Sequence, residues 1–212
     1  YLIAARTSLN SRSRDISLFY IDASTEGLEA DIGSHMIGLN SCPTGHITFT
    51  NCRIPLGNII GSENQGYTLL KPTLQLGRLA VSAIATGIAG RALELANNYS
   101  TTNGKYGRNL SSYQGIAFML AEMYTKLAAS RCMLYCSAEQ YDAMERQSAI
   151  VRSRGLGDVY KRQRQIHGAN GLSSDFEVDR CFRDAQMLTI AEGTTEICKI
   201  IVSNSVINSA LK

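Results

Sequence analysis

A short stretch near the C-terminus sets a carboxylate beside an open backbone. Arg183-Asp184-Ala185 is followed by Ile190-Ala191-Glu192-Gly193-Thr194-Thr195-Glu196-Ile197. Glu192 falls on a glycine-containing turn just ahead of a helix whose N-cap is expected at Thr194. A carboxylate at that place feels the positive end of the helix dipole, which favours its ionised form. Gly193 has no side chain, so the backbone beside the charge lets another molecule approach closely. The chemistry on offer is that of an ionised carboxylate held against a bound molecule. Taken alone, the octet favours a plainer reading, a capped helix with an acidic first turn.

Other chemistries find less support. Cys42, Cys52, Cys132, Cys136, Cys181 and Cys198 include no CxxC pair, and His35, His46 and His167 do not cluster with them. A zinc site needs paired ligands at short spacing and a secreted disulfide scaffold needs denser cysteines, so no metal is expected, and reduced, mostly packed thiols are. Gly155-Leu156-Gly157-Asp158 lacks the preceding strand and third glycine of a nucleotide-binding loop. With 212 residues, 44% of them hydrophobic and 18% charged, the chain has room for one or two domains with a core and is too apolar for disorder. No apolar run approaches the roughly 20 residues of a membrane span.

Elements that must position the octet come in two kinds. Ile16 to Asp22 and His46 to Ile54 are rich in β-branched and aromatic residues and bounded by Gly, Pro, Asn and Ser, as strands are. In the second, Ile47 and Phe49 alternate with Thr48 and Thr50, a half-buried pattern. Pro55, Gly57, Gly61 and Gly66 close this region, and the period then becomes helical. A helix from Leu74 to about Asn98 mixes Ala80, Ala83, Gly87 and Gly90 with Leu79, Ile84, Ile88 and Leu95, a smooth surface suited to close packing. Ser111 or Ser112 is expected to cap a second helix, striped by Ile116, Met119, Leu120, Met123 and Leu127, with Glu122 and Lys126 as an i,i+4 pair. A last helix is expected over about Thr195 to Ser209. The fold class is α+β: part of a β domain over 1–62, then an antiparallel four-helix-bundle-like domain over 63–212. The chain opens at Tyr1-Leu2-Ile3, without an initiator Met and inside what reads as a strand, so an N-terminal part is expected to precede it.

Arg152 to Gln163 breaks this pattern. The apolar stripe disappears, two glycines fall where a long helix should continue, and basic residues crowd in. Ser153 to Gln163, SRGLGDVYKRQ, resembles the conceptual translation, in one frame, of a transposase-based sequencing-library adapter. Such a scar is set aside from fold reasoning; the alternative is an unusual surface loop. Arg154, Lys161 and Arg162 against Asp158 give the segment a net +2, so removing it takes the chain from +3 to +1. Most of the basicity that would invite a nucleic-acid partner goes with it.

In order along the chain, further motifs stand beside the octet. They are Cys52-Arg53-Ile54-Pro55 with Gly61-Ser62-Glu63-Asn64-Gln65-Gly66-Tyr67, then Leu76-Gly77-Arg78 and the Ala/Gly-rich helix to Tyr99. Tyr106-Gly107, Tyr113-Gln114-Gly115-Ile116, Leu120-Ala121-Glu122-Met123 and Gln165-Ile166-His167-Gly168-Ala169-Asn170-Gly171 follow. With the octet these resemble the acyl-CoA dehydrogenase family over nearly the whole chain, its short- and medium-chain members in particular.

The resemblance implies FAD-dependent α,β-dehydrogenation of an acyl-CoA thioester to the trans-2-enoyl-CoA. A carboxylate takes the α-proton while a hydride leaves the β-carbon for the flavin. The α C–H is too weak an acid for a free carboxylate, so the developing enolate must be stabilised at the thioester oxygen, by the base's own backbone N–H and a flavin ribityl hydroxyl. Glu192 matches the base. Some relatives carry the base just before the arginine matching Arg78, but Gly77 there cannot serve. Gln75, Arg78 and Gly193 match the acyl-CoA site, with a surface ion pair the even alternative for Arg78. Thr194 and Glu196 match cofactor contacts, or else simply cap the helix. Tyr113, Gln114, Gln165, Gly168 and Ala169 match contacts to the FAD of a neighbouring subunit, which implies a homodimer or homotetramer. An arginine usual for the FAD pyrophosphate is replaced by Asn103, which forfeits a charge-assisted fork; Lys105 or Arg108, next to Tyr106, are the cations left to substitute. Ala169 replaces a usual glycine, and the spacing from Gln114 to Gln165 is several residues short. The implied partners are acyl-CoA and an electron-transfer flavoprotein, with no nucleic acid and no membrane. The implied setting is soluble, in a bacterial cytoplasm or a mitochondrial matrix. A non-catalytic oligomerising relative and an acyl-CoA oxidase of the same fold are the alternatives.

Overall fold

The computed structural model describes residues 1–7, 15–31, 33, 35–143 and 156–210, the side chains of 205 and 208–210 excepted. Helices and small antiparallel strand groups make an α+β chain that separates into two compact units, 1–36 with 40–74, and 37–39 with 75–212.

In the first unit β1 (Leu2–Arg6), β2 (Ile16–Tyr20) and β5 (Ile59–Ile60) form an antiparallel sheet with β2 central and Ala4 opposite Leu18. Ser17 and Leu18 on β2 are buried, and the Ser17 hydroxyl accepts the Asn64 backbone N–H at 2.8 Å. β3 (Leu28–Asp31) pairs with β4 (His46–Phe49). Ile47 and Phe49 are exposed, against the half-buried pattern expected of them. Among the described residues β4 pairs with β3 alone, and a two-stranded ribbon buries neither face by itself.

The second unit is helical. α1 runs Gly66–Thr102, longer at both ends than the apolar pattern indicated, and contains Pro72 near its start. By length and composition α1 would suffice to cross a membrane, beyond what the apolar runs suggested. Here its inward stripe is Leu79, Ser82, Thr86, Ala89, Ala92, Ala96 and Ser100. The hydroxyls in that stripe are satisfied internally: Ser82 donates to the Arg78 carbonyl at 2.8 Å and Thr86 to the Ser82 carbonyl at 2.7 Å. Ile84, expected among the apolar contacts, is exposed.

α2 (Gln114–Asp142), α3 (Leu156–His167) and α4 (Glu177–Met187) complete one core with α1. Ala89, Ala92 and Ala96 meet Met123 and Leu127, Leu156, Val159, Tyr160 and Ile166, and Ala185. The Tyr160 hydroxyl donates to the Ala85 carbonyl at 2.6 Å, so its buried oxygen is paired. α5 spans Thr195–Ala210.

Several expectations are corrected. Neither Ser111 nor Ser112 caps α2. Both lie in a 3-10 turn over Leu110–Ser112, where Ser112 donates to the Asn109 carbonyl, and the N-cap is Tyr113. Glu122 and Lys126 do not pair with each other but with Arg162 and Asp158 of α3. Of the six cysteines only Cys181 and Cys198 are buried, while Cys42, Cys132 and Cys136 are exposed.

The segment over 153–163 is the largest departure. Ser153 to Gly155 lie outside the described residues, but Leu156 to Gln163 are helical. Leu156, Val159, Tyr160 and Gln163 face the core at i, i+3, i+4 and i+7, so an apolar stripe does continue there. The misfit is in its polar atoms. Among the described residues, the buried side-chain nitrogens and oxygens without a hydrogen-bond partner are Arg162 Nε and both carboxamide atoms of Gln163. All three belong to the residues that resemble an adapter. The Cys181 sulfur beside Gln163 is only a weak hydrogen-bond partner. An unpaired buried amide costs about 1–3 kcal/mol. Gln163→Met, unbranched and of similar size, is expected to raise stability by about 1–2 kcal/mol in urea unfolding; a lower midpoint would contradict this.

Candidate active site

Glu192 stands on the turn between α4 and α5. The Ile190 and Ala191 N–H groups bond back to the Met187 carbonyl at 3.2 and 3.1 Å as α4 ends. Glu192 and Gly193 then both take positive φ, 56° and 105°. A non-glycine residue in that region costs about 1–2 kcal/mol and persists only where its surroundings enforce it. The turn closes through Thr195, whose hydroxyl donates to the Thr189 carbonyl at 3.4 Å. Thr194 caps α5: its Oγ1 accepts the Ile197 N–H at 3.4 Å. Glu196 is exposed on the first turn, as is Glu192 itself.

The wall behind the carboxylate is α1. A Cβ added to Gly77 would lie 2.6 Å from Glu192 Oε2 and 2.7 Å from its Cδ, so the carboxylate rests where a side chain would otherwise be. Arg78, next along α1, donates from Nε to the Glu192 carbonyl at 3.3 Å. Gln75 is buried one turn earlier. Residues 114 positions apart thus meet in one place, Gly77 and Arg78 of α1 against Glu192 and Gly193 of the turn.

The other candidate residues form a second group at the far end of α1. Tyr99 is its hub, with its ring stacked on His167 at 4.2 Å and its hydroxyl accepting Asn170 Nδ2 at 3.1 Å. Asn103 turns onto its own helix, donating from backbone N and from Nδ2 to the Tyr99 carbonyl, each at 3.0 Å, and so ends α1. Next comes a hairpin of β6 (Gly104–Lys105) and β7 (Arg108–Asn109), with Tyr106 at its tip at φ 53°. The Tyr113 hydroxyl donates to the Lys105 carbonyl at 2.7 Å, tying the hairpin to the start of α2 beside exposed Gln114. Gln165, Gly168 and Ala169 are exposed around the end of α3, Gly168 at φ 58°. From Arg78 to Tyr99 is about 30 Å of helix, so one copy of the chain does not bring the two groups together.

The second group suits an anionic, aromatic-bearing ligand. Lys105 and Arg108 are exposed, neither pairs with a carboxylate among the described residues, and Lys105 lies 5.3 Å from the Tyr106 ring centroid. Two free cations on a hairpin tip fit a diphosphate such as FAD carries, and they stand beside the amide that replaces the expected arginine. Among the described residues no three His, Cys, Asp or Glu side chains are grouped to hold a metal ion.

His167 is buried with Nδ1 2.8 Å from the Gln163 carbonyl, which places the proton on Nδ1 in the neutral ring. Burial pushes its pKa below the ordinary 6.5. The folded state therefore prefers the neutral ring. Its contribution is complete above the unfolded-state pKa and is lost as pH falls below about 6.5 through the lower folded value. Melting temperature should fall from pH 7 to pH 5, and His167→Gln should flatten that fall. An equal fall in the variant would contradict the assignment.

The sequence pattern did not show what Arg183 and Asp184 do. Arg183 pairs with Asp179 at 2.8 Å and donates to the Ile37 carbonyl at 3.1 Å, while Asp184 Oδ1 accepts the Leu39 N–H at 2.7 Å. Together they hold residues 37–39 on α4. The Arg-Asp-Ala triplet was the signal, without its meaning.

The profile described as acyl-CoA dehydrogenase, C-terminal domain, matches residues 64–207. The chain belongs to the acyl-CoA dehydrogenase family. It is 31% identical over 209 residues to an acyl-CoA dehydrogenase of Bacillus subtilis, covering 96% of this chain and 55% of that protein. To the caffeyl-CoA reductase–Etf complex subunit CarC of Acetobacterium woodii it is 31% identical over 208 residues, covering 95% of this chain and 55% of the relative. The butyryl-CoA dehydrogenase of Megasphaera elsdenii superposes with a TM-score of 0.91 at 29% identity, over 98% of this chain and 56% of that one. The chain spans about half the length of the relatives it matches.

Proposed function

We propose that the chain is the C-terminal part of an FAD-dependent acyl-CoA dehydrogenase in which Glu192 is the base. The domain reading goes with it: 1–62 as the end of a β domain and 63–212 as the catalytic helical domain. The observation that carries the proposal is the Glu192 carboxylate, exposed on a left-handed turn and seated on Gly77.

Glu192 takes the α-proton of a bound thioester. Its backbone N–H donates to the thioester oxygen, where charge develops as that proton leaves. Gly193 lets the thioester lie against this N–H. Gln75 lines the acyl-CoA side and Arg78 stands next to it on α1, with Thr194 and Glu196 toward the cofactor. FAD, when bound, supplies the acceptor for the β-hydride. Lys105 and Arg108 would hold its diphosphate, with Asn103, Tyr106, Tyr113, Gln114, Gln165, Gly168 and Ala169 as the other candidate contacts. Because that group lies about 30 Å along α1 from Glu192, it serves the site of a second copy, in a homodimer or homotetramer. Exposed Ile200, Val206 and Ile207 on α5 and Phe118 on α2 support such association. An electron-transfer flavoprotein would be the partner that takes up the electrons.

A second direction is favoured by one observation. A relative as similar as the Bacillus subtilis enzyme is named a caffeyl-CoA reductase subunit in a complex with Etf. The same residues run in reverse would saturate an enoyl thioester, with Glu192 returning the α-proton.

The test is anaerobic mixing of the FAD-loaded protein, expressed from the complete gene, with saturated acyl-CoA thioesters. Bleaching of the flavin band with appearance of enoyl-CoA is expected. A flavin that stays oxidised with every saturated thioester, yet is reoxidised by an enoyl-CoA after chemical reduction, supports the reductase direction. A flavin that responds to neither sinks both.

A further inference from the structure

We propose that Arg78 is a positioning residue, a latch that holds the Glu192–Gly193 peptide in the one orientation that keeps Glu192 ready to act. The proposal rests on reading Glu192 as the base, and it changes what Arg78 is for: the arginine acts on the turn and not on the acyl-CoA.

Two observations point there. The guanidinium follows the turn's backbone, with Nε 3.3 Å from the Glu192 carbonyl and Nη2 4.0 Å from where a Cβ on Gly193 would stand. Among the described residues no carboxylate pairs with Arg78, so the surface ion pair that was its plain alternative is not made.

The turn also needs such a latch. Glu192 and Gly193 are consecutive residues at positive φ, and only the first pays a steric cost for it. Gly193 tolerates nearly any backbone angle, so it offers little resistance if Glu192 relaxes about its own N–Cα bond toward the ordinary helical or extended regions. That rotation would carry the Glu192 carbonyl away from Arg78, lift the carboxylate off Gly77 and change the angle between the carboxylate and the Glu192 N–H. A cationic donor on the Glu192 carbonyl opposes the relaxation with a charge-assisted bond. It is anchored on α1 through a backbone whose own carbonyl is tied by the Ser82 hydroxyl. One side chain thereby fixes both groups the chemistry requires, the proton acceptor and the oxyanion donor.

The test compares wild type, Arg78→Ala and Arg78→Lys in the FAD-loaded protein, by steady-state kinetics and by amide hydrogen exchange over residues 190–194. For Arg78→Ala, kcat is expected to fall by about 100-fold, the scale of a displacement of about 1 Å at a reacting group, with KM within about threefold of wild type. Exchange over the turn should quicken by about tenfold. Lysine, with one charged nitrogen able to reach the carbonyl, should recover part of both. A raised KM with kcat retained would place Arg78 on the substrate and overturn the proposal, as would unchanged exchange at 190–194. Should wild type prove inactive, the base reading fails on its own, while the exchange measurement still decides whether Arg78 holds the turn.

Discussion

Glu192→Gln should lower the turnover of acyl-CoA by about 10⁴-fold, the upper range for loss of a general base, while FAD remains bound. Glutamine keeps the size of the side chain and its place over Gly77, so the turn and the cap of α5 by Thr194 survive. It cannot accept the proton. Glu192→Asp should fall less far, because the carboxylate is kept but drawn back by one methylene from the place Gly77 leaves open. Dye-linked turnover, with flavin content measured in the same samples, separates the chemistry from loss of cofactor. Turnover by the glutamine variant near the wild-type rate would remove Glu192 from the base's role.

The largest effect on stability is expected at Met123. It is fully buried where α1, α2, α3 and α4 meet, and its neighbours include Ala89, Ala92 and Ala96. Those alanines cannot swell to fill a void, and their helix backbone cannot follow a shrinking side chain inward. Met123→Ala should therefore cost about 3 kcal/mol, lost transfer energy plus an uncollapsed cavity. Met133→Ala, on the same helix but exposed, should change stability by less than about 0.5 kcal/mol although it removes the same atoms. Urea unfolding followed by the helix signal makes the comparison, and equal effects at the two sites would contradict the assigned core.

The fold was legible where side-chain periodicity is a local property. β2 and α5 fall where the pattern placed them, and the stripe with Met123 and Leu127 faces the core as read. Patterning was less informative for α1, because its buried face is small and hydroxylated, with Ser82, Thr86 and Ser100 returning their hydrogen bonds to their own helix. Polarity there does not mean exposure. The half-buried reading of Ile47 and Phe49 failed because burial needs a second layer, and alternation along a strand does not say whether one is there. Glu122 and Lys126 have the spacing of a helical pair, yet α3 offers Asp158 and Arg162 at the same spacing across the interface.

For the site, the octet around Glu192 gave the cap and the turn. Nothing in the spacing joined it to Gly77 and Arg78, because contact between α1 and the α4–α5 turn is tertiary. Likewise Tyr99 was visible only as the end of a helix, although it gathers Asn103, His167 and Asn170. The motifs in their order along the chain carried the family reading, and the family match over residues 64–207 agrees with them.

The most direct measurement of the central claim is deuterium incorporation at the α-carbon of an acyl-CoA, incubated anaerobically in D2O with FAD-loaded wild type and with Glu192→Gln, and read by mass spectrometry. Wild type should exchange the α-proton and the variant should not. Exchange in the variant at the wild-type rate would show that another group moves the proton.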